Sequence, residues 1–198
     1  MAQNGESLRV NPRVAAGLLV GLAVVAHLPG FGGAFIWDDD AHVTESRAVV
    51  DPGGLPAIWF EPGSVPQYYP LTHSSFWLEY RLWGDNPTGY HAVNILLHAA
   101  SVVVLWRLLA GLGLSGAWLA AALFAVHPVH VESVAWISER KNVLSGFFAL
   151  LSTVAWLGWW RAEPGTASRR WWLAVVLFIA ALFSKTVTVT LPAEWFVI

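Results

Sequence analysis

Long apolar runs separated by short polar stretches fill most of this chain. Five runs stand out, at about residues 14–28, 90–109, 115–126, 143–160 and 171–183. The first is broken by Pro29-Gly30 and the third by His127-Pro128. A helix needs about 20 apolar residues to cross the hydrocarbon core. The third and fifth runs are short on that measure. They either extend into their flanks or stop within the membrane thickness, where non-helical backbone survives only if buried or lining a cavity. Residues 187–198 turn apolar again, which predicts the start of a further span and a chain that is a piece of a longer protein. The expected fold class is all-α, with residues 1–198 forming the N-terminal part of a multi-spanning transmembrane bundle. Residues 31–89 form a long loop between the first two spans. It is rich in Pro, Gly and Trp (DPGGLPAIWFEPGSVPQYYPLT). Its aromatic residues predict a loop held at the interface, with short helices such as residues 71–82 lying on the bilayer. A loop of that length points to function rather than to a linker.

Composition supports this pattern. Charged residues make up 12% of the chain, about half the 25% of ordinary soluble domains. Mean hydropathy is +0.54, so lipid is the expected solvent. Thirteen Trp suit the membrane–water boundary. A cleaved signal peptide built on Arg9, Arg13 and the first run is the weaker reading, because further spans follow. The absence of cysteine removes disulfides, thiol nucleophiles and Cys metal sites. A net charge of -2 implies no bulk attraction to nucleic acid. With the N-terminus inside, Arg9, Arg13, Arg107, Arg161, Arg169 and Arg170 collect on the inner side with only Glu6 and Glu163, while most acids fall outside. That is the positive-inside pattern.

Four constellations carry candidate chemistry. Asp38-Asp39-Asp40 stands just beyond the first span. Adjacent carboxylates repel one another, so at least one should hold a proton more tightly. Such a group suits a general base or a cation ligand, and the plainer role is a solvated cap. The segment HPVHVESVAWISERKN carries His127, His130 and Glu132, then Glu139, Arg140 and Lys141. A zinc hydrolase wants two histidines at i and i+4 with Glu between them. Here they stand at i and i+3 around Pro128, so loop hydrogen bonding is the better reading. Arg140-Lys141 suits an anion, since guanidinium forks onto phosphate where a helix begins with free N–H groups. Interfacial snorkelling is the plainer role. His91, Asn94, His98 and Ser101 form one helical stripe, best read as interhelical hydrogen bonding. Lys185, in Ser184-Lys185-Thr186, offers either a second cation for a lipid phosphate or an anchor.

The blocks FIWDDDAHVTES, YYPLTHSSFWLEYRLWGDNPTGYHAVNILLHA, LFAVHPVHVESVAWISERKNVLSGFF and SKTVTVTLP resemble the membrane part of the transmembrane, tetratricopeptide-repeat-containing O-mannosyltransferase-like family, in its bacterial form. The resemblance runs from about residue 35 onward. It implies a GT-C type glycosyltransferase that moves mannose or another hexose from a polyprenyl-phosphate donor to a hydroxyl, expected on protein Ser or Thr. It also implies a multi-pass protein of the bacterial inner membrane, working at its outer face, with membrane lipid but no nucleic acid as partner. Relatives of this kind continue into more spans and tetratricopeptide repeats.

The family's acidic pair falls on Asp38 and Asp39, while Asp40 is left unassigned. His127, His130, Glu132 and Arg140 fall on its loop pattern. The expected reaction inverts the anomeric carbon. Asp38 or, by a slight preference, Asp39 takes the hydroxyl proton. Arg140 with Lys141 or Lys185 stabilises the departing phosphate. His127, His130 and Glu132 shape the loop or meet sugar hydroxyls. No cofactor is fixed: some GT-C enzymes use a divalent cation, others none, and three aspartates suit either case. A transporter or flippase subunit without chemistry, and a docking scaffold, are the readings from other classes.

Overall fold

The computed structural model describes residues 11–163 and 168–197. Glu6 and Arg9, counted above among the inner-side charges, lie outside the described residues. Among the described residues every regular element is helical. In chain order these are α1 (Pro12–His27), a 3₁₀ turn (Leu28–Gly32), α2 (Asp39–His42), α3 (Arg47–Val50), α4 (Leu55–Phe60), α5 (Pro70–Trp83), α6 (Pro87–Gly111), α7 (Ala117–Val126), α8 (His130–Ala135), α9 (Arg140–Trp160), α10 (Ser168–Ser184), a second 3₁₀ turn (Thr186–Thr190) and α11 (Leu191–Glu194). The five apolar runs correspond to α1, α6, α7, α9 and α10.

Local chemistry starts the long helices. Asn11 caps α1 by accepting from the Arg13 N–H, and Asn86 caps α6 by accepting from Thr88 N–H. In both a proline follows at the first helical position, where its missing N–H costs nothing. Three helices are long and apolar enough to cross a membrane: Pro12–Gly32, Pro87–Gly111 and Arg140–Trp160. The α7 and α10 helices are shorter, as their runs predict. At one end of the bundle, Arg161 donates to Gly111 O and Arg170 to Gly158 O. Basic side chains there bind the orphan carbonyls that close helices. The aspartates, α5 and α8 collect at the opposite end.

Small residues bring the helices together. Leu19 and Ala23 of α1 pack with Ala99 and Val102 of α6 and with Ala121, Ala122 and Ala125 of α7. Between α9 and α10, Ser145 donates to Ala181 O at 3.0 Å and Ser152 to Ala174 O at 2.7 Å. The two serines are one heptad apart, as are the two alanines, which is the spacing of an antiparallel pair of helices meeting along one seam. Short side chains let the backbones close, and the hydroxyls satisfy carbonyls inside a dry interface.

The long loop has a core of its own. Val43, Ala48, Val49, Ile58, Val65 and Phe76 pack against Tyr90 at the start of α6 and against Ile137. The amphipathic α5 covers residues 71–82 as expected, and Thr72 ties it to α10 by donating to Ser184 O. The C-terminal residues turn back along α9, where Trp195 stacks on Trp156 and donates to Thr153 Oγ1.

Replacing Ser152 by Leu should force α9 and α10 apart and cost about 1–3 kcal/mol, the range for overpacking a close interface. Thermal unfolding of the detergent-solubilised protein measures this, and an unchanged transition would contradict the close seam.

Candidate functional site

Arg140 opens α9 and is 0% exposed. Its five N–H groups are all taken. Nε donates to Asn94 Oδ1, and Nη1 donates to Glu79 Oε1 and Ser75 Oγ. Nη2 donates to Glu79 Oε2 at 3.1 Å and to Tyr90 O at 2.9 Å. The guanidinium also lies over the Phe76 ring, 5.2 Å from its centroid. Five donors is the whole capacity of the side chain. All five donors expected to face a substrate phosphate are used within the protein. Arg140 clamps α5, α6 and α9 together and has no donor left. Glu79, absent from the sequence candidates, is its counter-ion. The signal for Glu79 was available: Thr72, Phe76 and Glu79 fall at i, i+4 and i+7, all on the buried face of α5.

The turn before Arg140 holds the aspartates. Asp39 is 0% exposed, with Oδ1 accepting from Ser138 N–H at 2.7 Å and Oδ2 from Ile36 N–H at 3.0 Å. Its carboxyl is shifted upward, mainly by burial; repulsion from Asp38 is the smallest contribution. The charge clustering foreseen from three adjacent acids is thus the lesser cause. Asp38 differs. Its side chain is 45% exposed, Oδ1 accepts from Ser138 Oγ at 2.8 Å, and Oδ2 stands 3.4 Å from His42 Nε2. Asp40 points away and accepts from Thr44. Both Asp39 oxygens are thus committed to backbone N–H groups and sealed from solvent, whereas Asp38 is half open. Just before these residues, Trp37 holds a left-handed backbone at φ +51°. For a bulky residue that is a strained conformation, worth of order 1–3 kcal/mol and typical of functional turns. The Trp37 ring meets Trp136 edge-on at 4.6 Å.

Glu139 gathers the remaining cations. Lys141 Nζ lies 2.8 Å from Oε1 and Lys185 Nζ 3.6 Å from Oε2. Asn142 donates to both Glu139 and Ser133 and accepts from Lys185. Each lysine thus meets one shared carboxylate and keeps spare N–H groups. Asn142 and Ser133 also line a cavity of about 500 Å³, together with Leu105, Leu108, Phe124, Val143 and Leu150. His130 lines the same cavity, its ring 4.2 Å from Phe124, and burial pushes its pKa down. His127 is exposed and accepts from Val129 N–H, and Glu132 is exposed on α8. Among the described residues no three His, Cys, Asp or Glu side chains group to hold a metal ion. The polar stripe on α6 is buried along its length. Asn94 and His98 hydrogen-bond across to Trp136 O and Ala125 O, so its structural reading is the observed one. Ser138 therefore joins Asp38 and Asp39, the adjacent Glu139 joins Lys141 and Lys185, and His127 and Glu132 stay exposed.

The chain is similar to proteins named protein O-mannosyl-transferases. One from Caenorhabditis elegans is 32% identical over 69% of this chain and 22% of its own length. The tmtc2 protein of Xenopus laevis is 32% identical over 81% of this chain and 20% of its length. Human TMTC4 is 31% identical over 87% of this chain and 27% of its length. The chain thus spans about a fifth to a quarter of the length of the curated relatives it matches. No family model and no solved structure matches it.

Glu79→Gln leaves a buried guanidinium half-paired and should cost about 3–5 kcal/mol, as breaking a buried ion pair does. Denaturant unfolding of the solubilised protein would show it, whereas a loss no larger than that of an exposed substitution would contradict the clamp. The protein should also lose stability in acid. His73 on α5 is fully buried and its pKa is pushed down from 6.5 to about 4, chiefly by burial. Folding favours its neutral form. That contribution is complete above pH 6.5 and is lost as pH falls through about 4. Melting temperatures measured between pH 7 and 4 should fall, and fall less steeply in His73→Gln.

Proposed function

Because relatives about 31% identical carry the name protein O-mannosyl-transferase and support that family, we propose that this chain is the N-terminal membrane part of one of its members, a glycosyltransferase that acts on protein. The donor is a polyprenyl-phosphate sugar, the acceptor a Ser or Thr hydroxyl, and the architecture that of the GT-C class. The site faces the outer side of a bacterial inner membrane.

The observation that carries this reading is the meeting of three features at one end of the bundle. They are a half-exposed carboxylate, a pair of ammonium groups sharing one counter-ion, and an apolar cavity lined in part by Asn142, which bonds to that counter-ion. An amphiphile with an anionic linkage needs the last two. A hydroxyl nucleophile needs the first. Asp38 accepts the hydroxyl proton at Oδ2 while the oxygen attacks the anomeric carbon. The bond from that carbon to the phosphate oxygen breaks on the far side, and its electron pair leaves with the phosphate. Charge grows on that oxygen in the transition state, where Lys141 and Lys185 oppose it. The prenyl chain lies along Leu105, Leu108 and Leu150. His130 lines the cavity, and the exposed His127 and Glu132 meet sugar hydroxyls. Arg140 acts by holding the turn that carries Ser138 and Glu139, not by touching phosphate.

The test uses the full-length protein and a labelled polyprenyl-phosphate mannose with an acceptor peptide. Asp38→Asn should lower kcat by roughly 10²–10⁴, the worth of a positioned base. Asp39→Asn should instead lower the yield of folded protein. Full activity of Asp38→Asn would remove Asp38 from the mechanism.

A further inference from the structure

Behind Asp38 stand two histidines that the reaction above does not use. His42 and His73 are 3% and 0% exposed, and His42 Nδ1 lies 3.2 Å from His73 Nε2. His73 Nδ1 lies 3.1 Å from the carbonyl oxygen of Tyr69, and His42 Nε2 lies 3.4 Å from Asp38 Oδ2. A carbonyl only accepts, so the proton on His73 belongs to Nδ1. Its Nε2 is then a bare acceptor, and His42 must donate to it from Nδ1. The hydrogen bond made by one ring nitrogen sets the state of the other. The chain of assignments ends at His42 Nε2, which in the neutral ring carries a lone pair aimed at a carboxylate oxygen. Two acceptors therefore face each other across 3.4 Å, and the row is one proton short.

Resting on the reading of Asp38 as the base, we propose that His42 is a positioning residue for Asp38: it shares the proton drawn from the acceptor hydroxyl, with His73 and the Tyr69 carbonyl fixing the tautomer that leaves its Nε2 open. When the hydroxyl O–H bond breaks, the proton enters the space between Asp38 Oδ2 and His42 Nε2. The oxygen's electron pair forms the new bond to the anomeric carbon, and the phosphate departs with the old one. The stored proton returns to solvent through the exposed edge of Asp38, so nothing is oxidised or reduced.

The surroundings keep the row empty at rest. Burial is the largest influence on His42 and lowers its proton affinity; Lys141 acts in the same direction, while Asp38, Asp39 and Glu139 oppose it. His73 is held neutral mainly by burial, so it remains an acceptor at Nε2 throughout the working range. Asp38 alone of these acids has an open path to solvent and direct contact with the row. The spacing was legible in advance, since Asp38 and His42 stand at i and i+4, but His73 comes from a helix 31 residues further along.

Four variants of the full-length protein test this in the transfer assay. In His42→Gln the side-chain amide donates permanently to Asp38 and cannot take a proton. Its kcat should fall about tenfold to a hundredfold, the usual loss when the partner orienting a reacting group is removed. KM should stay within about twofold, because the lost interaction belongs to the transition state. The acid limb of its pH–rate profile should move to lower pH. His73→Leu, which frees His42 to turn its N–H toward Asp38, should behave likewise, whereas His73→Gln, whose amide oxygen still accepts from His42 Nδ1, should restore most of the rate. Matching melting temperatures separate these effects from misfolding. If His42→Gln keeps the parent kcat and pH profile while Asp38→Asn is inactive, the relay is overturned and the base survives. If Asp38→Asn is fully active, both fall. Nitrogen-15 histidine spectra give an answer independent of turnover: both rings should show the Nδ1–H tautomer, and a neutral Nε2–H form of His42 would overturn the proposal.

Discussion

The bidentate contact between Arg140 and Glu79 is the constraint on which the aspartate end of this bundle depends. Arg140 sits at the first residue of α9, and Glu79 at the last turn of α5. A buried ion pair is tolerated only when the remaining hydrogen-bonding capacity is also satisfied. Here Asn94, Ser75 and the Tyr90 carbonyl complete it. The same five bonds join α5 to α6 and α9, so the long loop cannot drift from the helices it covers.

The acidic residues Asp38 and Asp39 are held by the turn that this contact pins. Ser138, two residues before Arg140, presents its backbone N–H to Asp39 and its hydroxyl to Asp38. One residue thereby gives adjacent carboxylates opposite tasks. Asp39 is enclosed and holds the turn; Asp38 is half open, with one oxygen oriented and the other facing solvent and His42. The strained Trp37 backbone immediately precedes the pair.

On the far side of the same turn, Glu139 divides its two oxygens between Lys141 and Lys185. The shared carboxylate keeps two ammonium groups close without cancelling both charges. On the proposed reading, this is where the phosphate linkage of the donor would sit. Asn142 connects these charges to the adjoining cavity: it lines the cavity and bonds to Glu139 and Lys185.

The sequence by itself determined the solvent and the all-helical fold class. Apolar runs of a given length must be helical in lipid, because no water is available to their backbone groups. That reasoning located α1, α6, α7, α9 and α10, and the charge asymmetry separated the Arg161 and Arg170 end from the aspartate end. It also marked a helix at α5, and the His91–Asn94–His98 stripe as inward-facing. Roles within the site were decided only by tertiary structure. Whether Arg140 meets a ligand or a counter-ion depends on Glu79, 61 residues away. Whether Asp38 or Asp39 is open depends on Ser138, about 100 residues away. Exposure and pairing are sums over neighbours brought in from distant parts of the chain, and residue type and local spacing carry no record of those neighbours.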